Sequence, residues 1–215
     1  MTKQRKISAI DRIVMGADQA LRTLFTTPCG TGRPNPSQGH EECELSTKDK
    51  RHVAGLMRIN HAGEISAQAL YQGQAFTAKL PNVREKMEQA AIEENDHLIW
   101  CEKRIKELDS RTSLLNPLWY AGSFTIGALA GSAGDKWSLG FVVETENQVV
   151  KHLEEHLESI PGNEVKSKVI LEQMKEDELH HATMALESGA AELPKPAKLL
   201  MKLTSKVMTK TAYHI

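Results

Sequence analysis

Residues 87–108 read MEQAAIEENDHLIWCEKRIKEL, and residues 170–189 read ILEQMKEDELHHATMALESG. Each residue of an α-helix advances about 100° around the axis. On that wheel Val83, Met87, Ala90, Ala91, Leu98, Cys101, Ile105 and Leu108 form one apolar stripe, and the gap in it is filled by Glu94 and His97. The second stretch repeats the arrangement: Ile170, Met174 and Ala185 define a face, and Glu178 and His181 lie on it. Asp177 and His180 fall about 60–120° off that centre. Each stretch therefore carries a Glu-x-x-His pair turned toward a core, and a residue pair at i and i+3 can reach one common point.

Working outward, the helix before each of these stretches carries one more such residue. A helix from Ser46-Thr47 to about Leu80 aligns Val53, Met57, Ala67, Tyr71 and Ala75, with Asn60 and Glu64 among them. A helix from about Asp135 to Pro161-Gly162 aligns Leu139, Val142, Val149, Val150, Leu153 and Leu157 around Glu146, with Glu144 on the opposite side. Burying one ionised carboxylate without a partner costs several kcal/mol, and four would exceed the roughly 5–15 kcal/mol net stability of a domain. No lysine or arginine is read on these inward stripes, so buried salt bridges are poorly supplied. Two divalent cations would neutralise four carboxylates, with two imidazoles completing the ligand set. Thirty residues separate Glu64 from Glu94, and thirty-two separate Glu146 from Glu178. The chain thus reads as two copies of a half-site related by a pseudo-twofold axis. Ferritin-like di-iron and di-manganese carboxylate proteins are built on this arrangement. Oxygen-rich ligation with few nitrogens suits Fe or Mn, and the lack of thiolates argues against structural zinc. His61, His152 and His156 lie off the stripe centres and are expected at the surface or in supporting positions, while His40, His52 and His214 carry no signal.

The rest of the chain frames this core. Its 215 residues suffice for a sizeable core without covalent staples. Hydrophobic residues make up 40% and charged residues 26%, and aromatics only 5%, a mix that favours helix over sheet and excludes a disordered tail. With 27 basic against 28 acidic residues the chain lacks the cationic field of a nucleic-acid binder. No segment alternates with a period of two, so no strands are expected. The predicted fold is all-α: a ferritin-like four-helix bundle with a long crossover at roughly 109–135 between two helix pairs, plus accessory N- and C-terminal helices. Residues 1–46 are read as an N-terminal amphipathic helix, Ile7 to Phe25, and a Pro/Gly-rich loop; residues 47–215 are read as the metal-binding domain. Cys29, Cys43 and Cys101 form no framework, which points to a reducing compartment, and the N-terminus carries no apolar run of signal-peptide length. Residues 112–134 carry no charge, yet Pro117 and four glycines favour a buried or membrane-surface segment over a spanning helix. The last helix, Ala197 to about Thr211, sets Leu199, Leu200, Leu203 and Val207 against Lys195, Lys198, Lys202, Lys206 and Lys210, the pattern of a membrane-surface element.

The run Arg58-Ile59-Asn60-His61-Ala62-Gly63-Glu64, with Glu94-Asn95-Asp96-His97, Glu146 and Glu178-Leu179-His180-His181, resembles the demethoxyubiquinone hydroxylases of ubiquinone biosynthesis, bacterial type. The resemblance covers roughly residues 47–215 and is looser before that. It implies an O2-dependent di-iron monooxygenase that hydroxylates the ring of polyprenylated 3-demethoxyubiquinol. The ligands it implies are Glu64, Glu94, His97, Glu146, Glu178 and His181, holding two Fe ions per chain, with O2 as co-substrate and an external reductant. It further implies a peripheral protein on the cytoplasmic face of the cell membrane, in reach of a quinol dissolved in the bilayer and of other proteins of the same biosynthesis. The competing expectation is a ferritin-like iron-storage or detoxification protein.

Overall fold

The computed structural model describes residues 8–26 and 28–215. Among these residues there are seven helices and no strand: α1 (Ala9–Phe25), α2 (Thr47–Thr77), α3 (Pro81–Glu107), α4 (Asn116–Ser132), α5 (Asp135–Ser159), α6 (Val165–Glu187) and α7 (Lys195–Ala212). Ile7, expected at the start of the first helix, and the charged run before it lie outside the described residues, as does the side chain of Val83. Helix boundaries follow local chemistry. Ser8 and Asp11 form a reciprocal capping box on α1, and the Ser46 hydroxyl accepts from the Asp49 amide at 3.1 Å to start α2. Pro81 opens α3, where a missing amide proton costs nothing.

Helices α2, α3, α5 and α6 form the bundle, α2 packing along α3 and α5 along α6. The short linkers within each pair make the paired helices antiparallel neighbours. The crossover differs from a plain linker: its centre is the helix α4, laid along the outer flank of α2. The two backbones come so close that a Cβ on Gly73 would strike the Phe124 carbonyl, and one on Gly127 would strike the Leu70 carbonyl. This is why a chain region rich in glycine and free of charge sits where it does. It also changes α2, which is buried nearly all round rather than along one stripe. Two of the polar side chains that α2 buries find partners on neighbouring helices: Gln68 donates to the Ala91 carbonyl and to Asn95 Oδ1, and Gln74 donates to the Ser138 carbonyl at 2.9 Å. No described helix is long and apolar enough to cross a membrane.

One sequence expectation fails in α3. Arg104, seven residues after His97 and so on the same helical face, is buried. Its guanidinium takes Glu42 by both nitrogens at 2.7 Å, Glu107 at 2.8 Å and Glu164 at 2.6 Å. An inward cation is therefore present, but three carboxylates outside the bundle centre already surround it, which leaves Glu64, Glu94, Glu146 and Glu178 without it. The fork also ties the loop before α2 to α3 and α6.

The last helix is fixed at its end. Ala212 is buried, Tyr213 packs on Gly55, and its hydroxyl meets His52 Nδ1 at 2.8 Å while Arg58 holds its carbonyl at 2.7 Å. Leu199, Leu200, Leu203 and Val207 along the body of α7 remain exposed.

Replacing Gly127 by leucine will wedge α4 from α2 and lower the unfolding free energy by about 3 kcal/mol. Thermal denaturation checks this, and an unchanged midpoint would contradict the close helix contact.

Candidate metal centre

Two apolar layers divide the bundle. One contains Val53, Met57, Trp100, Cys101, Ile105, Leu153, Ile170, Leu171 and Met174. The other contains Ala67, Tyr71, Met87, Ala90, Ala91, Leu139, Val142 and Ala185. On every bundle helix at least one acidic side chain lies between these layers, and all six sequence-predicted ligands lie there, none more than 3% exposed.

Both histidines turn Nδ1 inward. His97 Nδ1 lies 3.0 Å from Glu94 Oε2, 3.1 Å from Glu178 Oε1 and 3.7 Å from Glu64 Oε2. His181 Nδ1 lies 3.0 Å from Glu178 Oε2 and 3.4 Å from Glu94 Oε1. Glu94 and Glu178 thus each stretch between the two imidazoles, one oxygen toward each. Ligand atoms of Glu64, Glu94, His97 and Glu178 all lie within 4.8 Å of one another. Glu146 stands at the other flank, where the Tyr71 hydroxyl donates to its Oε1 and the charges of Glu178, Glu94 and His181 act on it.

The electrostatics are those of a cluster short of positive charge. Burial, and then the nearby Glu94, push Glu64 well above the usual carboxylate range; burial and Glu178 do the same to Glu146. Burial opposes charge on His97 and on Glu94 too, but it loses. Asp177 and the inner carboxylates raise the His97 imidazole well above its ordinary value, and the two imidazoles hold Glu94 well below its own. Protein donors still leave three buried carboxylate oxygens without a hydrogen bond: Glu94 Oε1, Glu146 Oε2 and Glu178 Oε1. Unpartnered buried acceptors of this kind are costly. Divalent cations answer both deficits at once, since they bring positive charge and accept oxygen lone pairs. The donor set fits them.

Two further residues escaped the sequence reading. His97 Nε2 donates to Asp177 Oδ2 at 2.9 Å, and His181 Nε2 donates to Glu93 Oε2 at 2.7 Å. Each acid immediately precedes one motif glutamate and holds the histidine of the other motif. The signal was present as the doublets Glu93-Glu94 and Asp177-Glu178, but a single-helix wheel cannot reveal a pairing that crosses between helices.

Comparison with known proteins agrees with this geometry. Residues 51–212 match the family model described as ubiquinone biosynthesis protein COQ7. The chain belongs to the COQ7 family. Among its relatives, the 3-demethoxyubiquinol 3-hydroxylase of Nitrosococcus oceani is 59% identical over 98% of this chain and 99% of its own length. Proteins of the same name from Acinetobacter baylyi and Pseudomonas fluorescens are 58% and 59% identical, the latter over the full length of both chains. The similarity therefore extends through the N-terminal region, which the motif resemblance matched only loosely.

In this COQ7 chain two of the histidines expected at the surface or in supporting positions are buried. His156 Nδ1 meets Asn60 Oδ1 at 3.0 Å, and His61 Nδ1 meets Asn116 Nδ2 at 3.5 Å. The wheel alone left their burial open, which comes from α4 covering the flank of α2 and from Asn60 giving His156 a polar partner inside. His152 is only half-buried. Burial pushes both His61 and His156 down from 6.5 to about 4. Their folded values lie below the unfolded one, so the stability they contribute is full above pH 6.5 and is lost as pH falls toward 4. At the acid limit each costs on the order of 3 kcal/mol. Urea unfolding across that window will show a shallower loss in His156→Gln than in wild type; equal slopes would contradict a neutral buried imidazole.

Proposed function

We propose that the chain hydroxylates the ring of polyprenylated 3-demethoxyubiquinol in ubiquinone biosynthesis, as an O2-dependent di-iron monooxygenase. In this reading Glu64, Glu94, His97, Glu146, Glu178 and His181 would hold two Fe ions. The carrying observation is the set of buried carboxylate oxygens that no protein donor satisfies, arranged around two inward Nδ1 atoms. When bound, the irons supply the reduction of O2 that no side chain here can perform. One oxygen atom enters the ring carbon as a hydroxyl and the other leaves as water, with two electrons and two protons drawn from an external reductant.

The chain's own residues prepare that reaction. Glu93 and Asp177 hold the histidines with Nδ1 free to ligate and Nε2 protonated. The Tyr71 hydroxyl keeps its proton on the side of Glu146, and burial helps by raising the phenol well above its ordinary value. A cavity of about 220 Å³ reaches Tyr71 from between α1, α2, α3 and α4, lined by Met15, Gln19, Phe76, Met87 and Phe124 among others. Its apolar walls suit a quinol ring and the start of a prenyl tail, and they exclude water from the centre. That cavity and the names of the relatives favour catalysis on an organic substrate over iron storage.

A substrate dissolved in the bilayer requires the enzyme to sit on it. Exposed Ile10, Val14, Leu21 and Phe25 of α1, Leu118 and Leu129 of α4, and the apolar side of α7 supply membrane-facing surface; the lysines of α7 supply attraction to anionic lipid. We place the protein as a peripheral one on the cytoplasmic face of the cell membrane, where other proteins of ubiquinone biosynthesis can reach it.

Glu178→Ala will lose iron and, with it, O2-dependent hydroxylation of a short-chain demethoxyquinol, while far-UV circular dichroism stays near wild type. Normal turnover in that variant would overturn the assignment. Leu200→Glu combined with Leu203→Glu, both at exposed positions away from the Tyr213 anchor, will weaken flotation with vesicles of phosphatidylglycerol and phosphatidylethanolamine. Undiminished flotation would remove α7 from the membrane contact.

A further inference from the structure

The two halves of the centre are built alike, but their outer carboxylates are treated differently. Glu93, which holds His181, has its second oxygen on the neutral Gln89 side chain at 2.9 Å. Asp177, which holds His97, likewise has its second oxygen on a glutamine, Gln173 at 3.1 Å, but the oxygen that meets His97 receives a further hydrogen bond from Arg33 Nη1 at 2.8 Å. Among the described residues Glu93 makes no ion pair with a lysine or arginine; the field of Arg33 reaches it only as the weakest of several influences.

Arg33 does not arrive there by accident of a loose side chain. Its Nε donates to the buried Asp96 at 2.9 Å, and its guanidinium lies over the Trp100 ring at 5.1 Å. Trp100 in turn stands 5.5 Å from the His97 ring. Asp96 also accepts from the Thr31 amide at 2.9 Å and from the Thr31 hydroxyl. A Cβ on Gly30 would strike Asp96, so the loop backbone needs glycine to come this near. Asn95 secures the Cys29 carbonyl at 2.9 Å. The Pro/Gly-rich loop before α2 is thus clamped over one half of the centre only.

We infer that Arg33 is a positioning residue that makes the two metal positions electronically unequal, by drawing charge from the carboxylate that orients His97. The inference rests on the di-iron reading above. A carboxylate that shares its charge with a guanidinium is a weaker acceptor for the Nε2 proton. His97 then keeps that proton more fully and gives less electron density through Nδ1, whereas His181, on an unpaired carboxylate, gives more. The position at His97 therefore favours the reduced metal, and the position at His181 favours the oxidised one. The loop, which contributes no ligand, sets this difference.

The test is spectroelectrochemical titration of the full-length, iron-loaded protein, with iron content and far-UV circular dichroism measured on each sample. Arg33→Gln should keep two irons per chain and titrate at a more negative midpoint than wild type, because Asp177 is released to pull on His97. Asp177→Asn weakens the acceptor itself and should move the midpoint the opposite way. Arg33→Lys keeps the charge without the two-pronged geometry and should shift in the direction of Arg33→Gln but less. Shifts of the same sign in Arg33→Gln and Asp177→Asn, or no shift in Arg33→Gln, would overturn the inference. Should Arg33→Gln not hold two irons, opposite signs for Arg33→Lys and Asp177→Asn support the inference in its place, and any other result refutes it. Wild-type protein that binds fewer than two irons would instead overturn the di-iron reading, whatever the variants do.

Discussion

Four carboxylates and two imidazoles share a buried layer at the middle of the bundle, and most of the structure follows from what that arrangement demands. Like charges in low dielectric repel one another, and the lost hydration of each carboxylate costs several kcal/mol more. The bundle tolerates this only because the layer is narrow. Apolar cores lie on both sides of it, one around Met57, Leu153 and Leu171 and the other around Tyr71, Leu139 and Ala185. Histidine Nδ1 atoms and the Tyr71 hydroxyl relieve part of the strain, and three carboxylate oxygens stay unrelieved. A protein selected for stability alone would replace these residues with leucine. Kept as they are, they form a buried group that could hold a metal ion.

Two arginines outside the centre, one buried and one half-buried, behave differently, since each is held by more than one carboxylate. Arg104 is as deeply buried as the ligands but is enclosed by Glu42, Glu107 and Glu164. Arg33 divides itself between Asp96 and Asp177. Through these two arginines the loop of residues 28–46 is fastened to α3 and α6 at separate points, so a segment with no regular structure is held in place by charge. The contrast between arginines enclosed by carboxylates and glutamates crowded by their own kind runs through one core.

Helix α4 is the other element that shapes the site without entering it. By closing over α2 through glycine contacts it buries the back of the helix that carries Glu64, and its Tyr120 hydroxyl reaches Gln72 on that back face. It also helps wall the cavity that ends at Tyr71, while Leu118 and Leu129 face outward. One helix thus joins an apolar outer surface to the cavity that reaches Tyr71.

The spacing of Glu64, Glu94, His97, Glu146, Glu178 and His181 was legible in the chain because helical periodicity is a local property. A residue three or seven positions along must share a face, so an acid on an apolar stripe is visible before any folding. Capping residues and prolines marked the helix ends for the same reason. What lay beyond the chain's own reading were relations between segments far apart in sequence. The wheel could rank Asp177 as off-centre but could not reveal that His97 of another helix would come to meet it. It could not foresee Arg104 among acids from a loop and from α6, nor His61 and His156 shut in by α4 and Asn60. The inward-facing carboxylates and imidazoles were therefore written in periodicity; the partners that hydrogen-bond to them, and the unequal treatment of the two halves, arise only when the packed helices and the loop bring their charges within hydrogen-bond reach.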